Sequence, residues 1–80
     1  MIVRVLLFAR YRETAGQDRL DLDVEPGSTT ASVWEEVGRR VRALRNEPAP
    51  LMAVDQSYAR ADQRIERACE IAFFPPVSGG

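Results

Sequence analysis

Apolar and polar residues alternate near both ends of this 80-residue chain, and a helical rhythm lies between them. Residues 2–8 (IVRVLLF) are β-branched and apolar and predict a strand. Val3, Val5 and Leu7 share one face, which is entirely apolar; Ile2, Arg4, Leu6 and Phe8 share the other. A period of two sends the first set to the core, and Arg4 marks the second face as partly wet. Residues 10–19 are polar, carry a turn signal at Gly16 and predict a connection. Leu20, Leu22 and Val24 then alternate with Asp21, Asp23 and Glu25, which predicts a half-buried hairpin partner for the first strand, ended by Pro26 and Gly27.

Ser28, Thr29 and Thr30 offer helix caps, with Thr29 favoured, and Ser32 with Glu35 has the spacing of a capping box. Val33, Val37, Val41 and Leu44 recur at helical spacing with Trp34 at the core or its edge. Glu35, Glu36, Arg39, Arg40 and Arg42 take the opposite side, so Arg39 and Arg40 read as a solvated helix face. Glu35 with Arg39 and Glu36 with Arg40 are i,i+4 pairs in the favourable order, each worth about 0.3–0.5 kcal/mol. After a loop over 46–50, residues 51–54 predict a short strand, Asp55, Gln56 and Ser57 a turn, and Tyr58 with Ala59 a further strand fragment. Residues 60–68 are polar and irregular, and residues 70–74 (EIAFF) form the last strand, which Pro75 and Pro76 end for lack of backbone donors. Two strands, a crossing helix, then more strands describe an α+β, β-grasp domain over residues 1–74. Its mixed sheet has four to five strands with one main helix packed on it, and residues 75–80 form a flexible tail.

Composition narrows the function. A chain this short buries only about 60% of its unfolded surface and builds one small core, which leaves little room for an enclosed substrate pocket. The net charge of -1 argues against nucleic acid as a partner, since phosphate binding needs a basic surface. All eleven basic residues are Arg, so no side-chain amine is present to accept a copy of the same chain. Without His, imidazole acid–base chemistry and His metal ligation are absent, and a single Cys69 forms no internal disulfide or zinc cluster. Cys69 reads as a small packed hydrophobe. The apolar run over 2–9 is too short to span a bilayer and lacks signal-peptide flanks, so the expectation is a reduced, cytoplasmic protein with no membrane partner.

The candidate chemistry sits in the tail. Pro75 and Pro76 favour an extended exit, Val77 and Ser78 follow, and the sequence closes on Gly79 and Gly80. Six residues past Phe74 reach about 20 Å. Side-chain-free glycines thread a narrow tunnel and let a catalyst approach the Gly80 carboxylate closely. A carboxylate is a poor electrophile, and an acyl-adenylate made from ATP would give it a leaving group that a sulfur nucleophile displaces. No phosphate-cradling Gly loop accompanies the tail, so a partner would supply these steps.

The run FFPPVSGG over 73–80 resembles the C-terminal signature of the sulfur-carrier subunits of molybdopterin synthase, the MoaD type of the ThiS/MoaD ubiquitin-like family. FARYRETAG over 8–16 is similar to the same family's pattern through Phe8, Ala9, Arg12, Glu13 and Gly16, and AVDQSYA over 53–59 resembles its mid-chain segment with Asp55 where Asn is usual. Ala68 and Cys69 stand where the family usually has Gly-Asp. The resemblance implies a non-catalytic subunit that binds no cofactor itself. It further implies a MoeB-type activating enzyme that uses ATP, a sulfur donor protein, a C-terminal thiocarboxylate on Gly80, and a large catalytic subunit that takes the tail and passes sulfur to cyclic pyranopterin monophosphate. Two carriers would join a dimer of large subunits. The family's docking face maps onto Phe8, Tyr58 and Phe74, with Pro75, Pro76, Val77 and Ser78 inserted in the partner, and Arg12 beside Glu13 would meet the activating enzyme. Strand parity adds that Phe8 shares a face with Arg4 and Phe74 with Glu70. Three alternatives remain open at this stage: a sulfur carrier for thiazole or cysteine synthesis, a ubiquitin-like protein modifier, and a β-grasp interaction module with an inert end.

Overall fold

The computed structural model describes residues 1–76. Strand β1 (Ile2–Leu7) is an interior strand of a mixed sheet. It pairs antiparallel with β2 (Arg19–Asp23), from Ile2 opposite Asp23 to Leu6 opposite Arg19. On its other side it runs parallel to β7 (Cys69–Phe74), from Val3 opposite Cys69 to Leu7 opposite Phe73. Strand β4 (Leu51–Val54) pairs antiparallel with β7, and β5 (Ser57–Ala59) closes the far edge, giving the order β2-β1-β7-β4-β5. This is the β-grasp arrangement that the element order predicts.

Alternation decides the register. Val3, Val5 and Leu7 are buried, as are Ile71 and Phe73 beside them. Each such side chain contributes about 1.5–3 kcal/mol, and a slip of one residue would turn Arg4 inward in their place. Helix α2 (Thr30–Arg40) covers this inner face with Val33 and Val37. Thr29 caps it as expected, but the box closes with Ser32 rather than through Ser32 and Glu35: the Thr29 hydroxyl accepts from the Ser32 N–H at 3.1 Å, and the Thr29 N–H donates to Ser32 Oγ at 3.0 Å. The helix ends at Val41, and a 3-10 turn (Arg42–Leu44) swings Leu44 into the core, so the apolar series continues across a kink.

Four sequence expectations need correction. Residues 10–19 are not all connection: α1 (Ala9–Ala15) occupies most of them, with Tyr11 wholly buried and Gly16 capping its end at φ 71, where its N–H donates to the Arg12 carbonyl. Seven residues with one large apolar side chain are too few to show a helical period. Residues 60–68 include β6 (Arg64–Ile65), which pairs with β3 (Ser28–Thr29) and buries Ile65. This segment also serves the start of α2, whose Thr30 and Ala31 N–H groups donate to the carbonyls of Gln63 and Ala61, each at 3.0 Å. Amides that a helix leaves unpaired are thereby satisfied, which is why a polar stretch lies ordered there. The last strand begins at Cys69 rather than Glu70. Finally, Glu36 pairs with Arg39 at i,i+3 in place of the expected i,i+4 pairs. Among the described residues no helix is long and apolar enough to cross a membrane.

Candidate functional site

The face of the sheet away from α2 has no covering layer among the described residues. Leu6, Ala72, Ala53 and Tyr58 form one row across it, because Leu6 lies opposite Ala72, Ala72 opposite Ala53, and Ala53 opposite Tyr58. The two alanines make a shallow floor. Tyr58 rises from one side of it at 85% exposure. Phe8 and Phe74 stand on the other, stacked with ring centroids 4.6 Å apart and planes 16° from parallel. That pairing follows from the parallel register, which carries the next outward positions of β1 and β7 side by side. Gln56 and Glu70 complete the rim. Among the described residues the large hydrophobics that stand exposed, Ile2 (52%), Phe8 (37%), Leu51 (45%) and Tyr58, all lie on this one face. Ile2 stands apart beyond Arg4, but the patch around Phe8, Phe74 and Tyr58 is apolar with a polar rim, the mark of a docking surface.

Two turns hold the aromatics in place. Ala9 takes a left-handed backbone (φ 51) directly after Phe8, and the Tyr11 N–H donates to the Phe8 carbonyl at 3.1 Å, so the chain leaves β1 sharply and keeps Phe8 on the outer face. Asp55 and Gln56 both have positive φ (47 and 71), as a tight two-residue hairpin between right-twisted strands requires. Asp55 also clamps that hairpin to β7: its N–H donates to the Glu70 carbonyl at 2.8 Å, and the Glu70 N–H donates to Asp55 Oδ1 at 3.0 Å. The backbone that carries Tyr58 is thereby held against β7.

Phe8, Tyr58 and Phe74, singled out from the sequence, therefore fall on one face. Pro75 and Pro76 continue β7 from its Phe74 end and are half-buried. Arg12 is exposed on α1 and does not line this face. Val77, Ser78, Gly79 and Gly80 lie outside the described residues. Leu6, Leu51, Ala53 and Ala72 were not singled out. The parity of β1 and β7 carries a signal for Leu6 and Ala72, but β4 is too short to declare which way Leu51 and Ala53 face. Cys69 points to the inner side and is half-buried. Burial, and then the charge of Asp55, push its thiol above the ordinary range against the pull of Arg67. It is therefore a protonated, weak nucleophile at neutral pH.

The ThiS family model matches residues 5–80. The chain belongs to the ThiS family. Among the relatives of this ThiS-family protein is the molybdopterin synthase sulfur carrier subunit of Arabidopsis thaliana, 33% identical over 79 residues that span 98% of this chain and 82% of the relative. The subunit of the same name from Haemophilus influenzae is 34% identical over 82 residues, spanning 99% of this chain and all of the relative. In structure, the small archaeal modifier protein 1 of Methanosarcina acetivorans superposes with a TM-score of 0.77 at 26% identity, covering 99% of this chain and 96% of that one. The fold also matches a chain in the complex of subunits 1 and 2 of the molybdopterin-converting factor of Helicobacter pylori. That match has a TM-score of 0.57 at 14% identity, with both chains fully covered.

Proposed function

We propose that this chain is the sulfur-carrier subunit of a molybdopterin synthase and acts in molybdenum cofactor biosynthesis. The Gly80 carboxylate attacks the α-phosphorus of ATP on a MoeB-type enzyme, pyrophosphate leaves, and an acyl-adenylate forms. A sulfur donor protein then delivers hydrosulfide, whose sulfur attacks the acyl carbon and expels AMP, leaving a thiocarboxylate. The charged carrier docks on the large catalytic subunit and inserts Pro75, Pro76, Val77, Ser78 and Gly79, and Gly80 gives its sulfur to cyclic pyranopterin monophosphate. ATP belongs to the activating enzyme, and the catalytic side chains to the large subunit.

The observation that carries this reading is the uncovered aromatic face at the root of a glycine-tipped tail. Docking through Phe8, Tyr58 and Phe74 would hold a partner where the tail departs. The near full-length likeness to sulfur carrier subunits supports the same pathway. Intact-mass measurement of the chain, after incubation with its activating enzyme, ATP and a sulfur donor, tests the proposal. Replacement of one C-terminal oxygen by sulfur is the expected product, deletion of Gly80 abolishes it, and a Gly80-deleted chain that still charges would refute the mechanism.

The likeness to an archaeal modifier protein favours one second reading, in which the same adenylate is captured by a lysine of a target protein. Isopeptide-linked adducts in place of a thiocarboxylate would decide for it. The absence of Lys means that such adducts would carry single copies rather than chains linked through its side chains.

A further inference from the structure

A second concavity lies on the helix side of the molecule, across the sheet from the aromatic face. Its walls are Trp34, Glu35 and Arg39 on α2 and Arg42 and Arg45 on the following turn, with Gly38 between them. Gly38 helps to shape it: a Cβ there would stand 3.3 Å from the Arg45 Cα, so any larger residue would push the turn back from the helix by a few tenths of an ångström. Leu44, buried beneath, anchors the turn from inside. Arg39 is already engaged by Glu36, and among the described residues Arg42 and Arg45 have no carboxylate partner, so both guanidiniums on the turn side of the groove are available. With Arg39 neutralised by Glu36, the two guanidinium groups of Arg42 and Arg45 against the Glu35 carboxylate leave the groove a local positive site on a chain whose net charge is -1.

We propose that this groove docks an acidic peptide segment of a partner protein, one that sets two or more carboxylates against Arg42 and Arg45 and an apolar side chain against the half-buried Trp34. Charge complementarity selects an acidic occupant, and the half-buried Trp34 in the same wall favours a peptide over a bare phosphate, which has no apolar group to set against the ring. Planar guanidiniums also match carboxylates in bidentate fashion. Because the sheet separates this groove from the aromatic face, a partner here is compatible with a second partner bound there, and the assignment does not depend on the chemistry of the tail.

Trp34 is the sole tryptophan, so its fluorescence reports on the groove. The full chain is titrated with a short synthetic peptide alternating Glu and Leu, with the same peptide carrying Gln for Glu, and with inorganic pyrophosphate. A saturable change is expected for the Glu peptide alone, weakening as salt is raised. Combined Arg42→Gln and Arg45→Gln substitution lowers affinity about tenfold, as loss of two exposed ion pairs implies, and Phe74→Glu leaves it unchanged. Backbone amide shifts on the unaltered chain provide an arm that needs no variant, with Gly38 and Arg45 moving and Tyr58 still. The proposal fails if the Gln peptide binds equally, if pyrophosphate binds more tightly than the Glu peptide, if the double variant binds undiminished, or if nothing saturates.

Discussion

The two faces of one sheet, built by the same strands, meet opposite fates. On the inner face large side chains interlock: Phe73 is wholly buried with its ring centroid 4.9 Å from that of Trp34, which in turn lies 4.9 Å from Tyr11. On the outer face the floor is alanine and the large rings stand at its margins, with Phe74 stacked on Phe8 and Tyr58 almost free. Phe73 and Phe74 are neighbours of identical chemistry, yet one is structural and the other is available to a partner. Position in a pleat decides between them, so substitutions that treat the two alike in composition should separate stability from binding.

The largest separation is expected from Phe73→Ala. It empties a packed site against Trp34 and should cost about 3–5 kcal/mol in urea denaturation, most of the stability a domain of this size has. Phe74→Ala removes a half-exposed ring and one stacking contact, so about 1 kcal/mol or less is expected by the same measurement. Equal losses at the two positions would mean that the outer pair is part of the core and that the faces are not distinct.

How much of this was legible in the sequence follows from the same geometry. Alternation over β1 and β7 exposes the division between Phe73 and Phe74, and between Leu7 and Phe8, because a period of two needs only a few residues to show. The cap at Thr29 is legible for the same reason: it is a local device. Helix α1 is not, since Tyr11 alone marks its buried side. Strands β3 and β6 are two residues each and form by pairing with one another, beside the bonds from the start of α2 to the carbonyls of Ala61 and Gln63. Tyr58 joins the outer face through the Ala53 and Ala72 pairings, and the arginine groove depends on Gly38 touching Arg45. Both are contacts between separate segments, which no local pattern announces.

Binding should respond in the reverse order. Phe74→Glu or Tyr58→Asp places a charge where an apolar partner surface would desolvate it, and at least a tenfold weaker association with the large synthase subunit is expected by titration calorimetry. Stability should change by less than about 1 kcal/mol in either variant, because neither side chain is enclosed. Undiminished association would move the interface off this face. Asp55→Ala breaks the clamp to Glu70 without touching the aromatics. It should loosen association by a smaller factor through Tyr58, while Asp55→Asn, which keeps a side-chain oxygen for the Glu70 N–H, should restore most of it.

The smallest expected effect sits at the inner face and is a pH effect. The Tyr11 hydroxyl is enclosed and has no hydrogen-bond partner among the described residues, while Arg10 lies over its ring at 5.5 Å. Burial pushes its pKa above the ordinary value of 10.0, Glu47 pushes in the same direction, and Arg10 opposes them. The unfolded chain therefore releases this proton first as pH rises. The stability owed to the protonated phenol is fully present at neutral pH and is lost as pH climbs past about 10 toward the raised folded value. Tyr11→Phe removes the group that titrates. At neutral pH it should leave stability unchanged or raise it by up to about 1 kcal/mol, because an unpartnered buried hydroxyl is lost and the ring's packing is kept. Between pH 7 and about pH 10.5 the variant should lose less stability in urea than the parent chain. If both lose the same amount, the Tyr11 hydroxyl reaches solvent, and the inner face is less completely sealed than its contrast with the outer one requires.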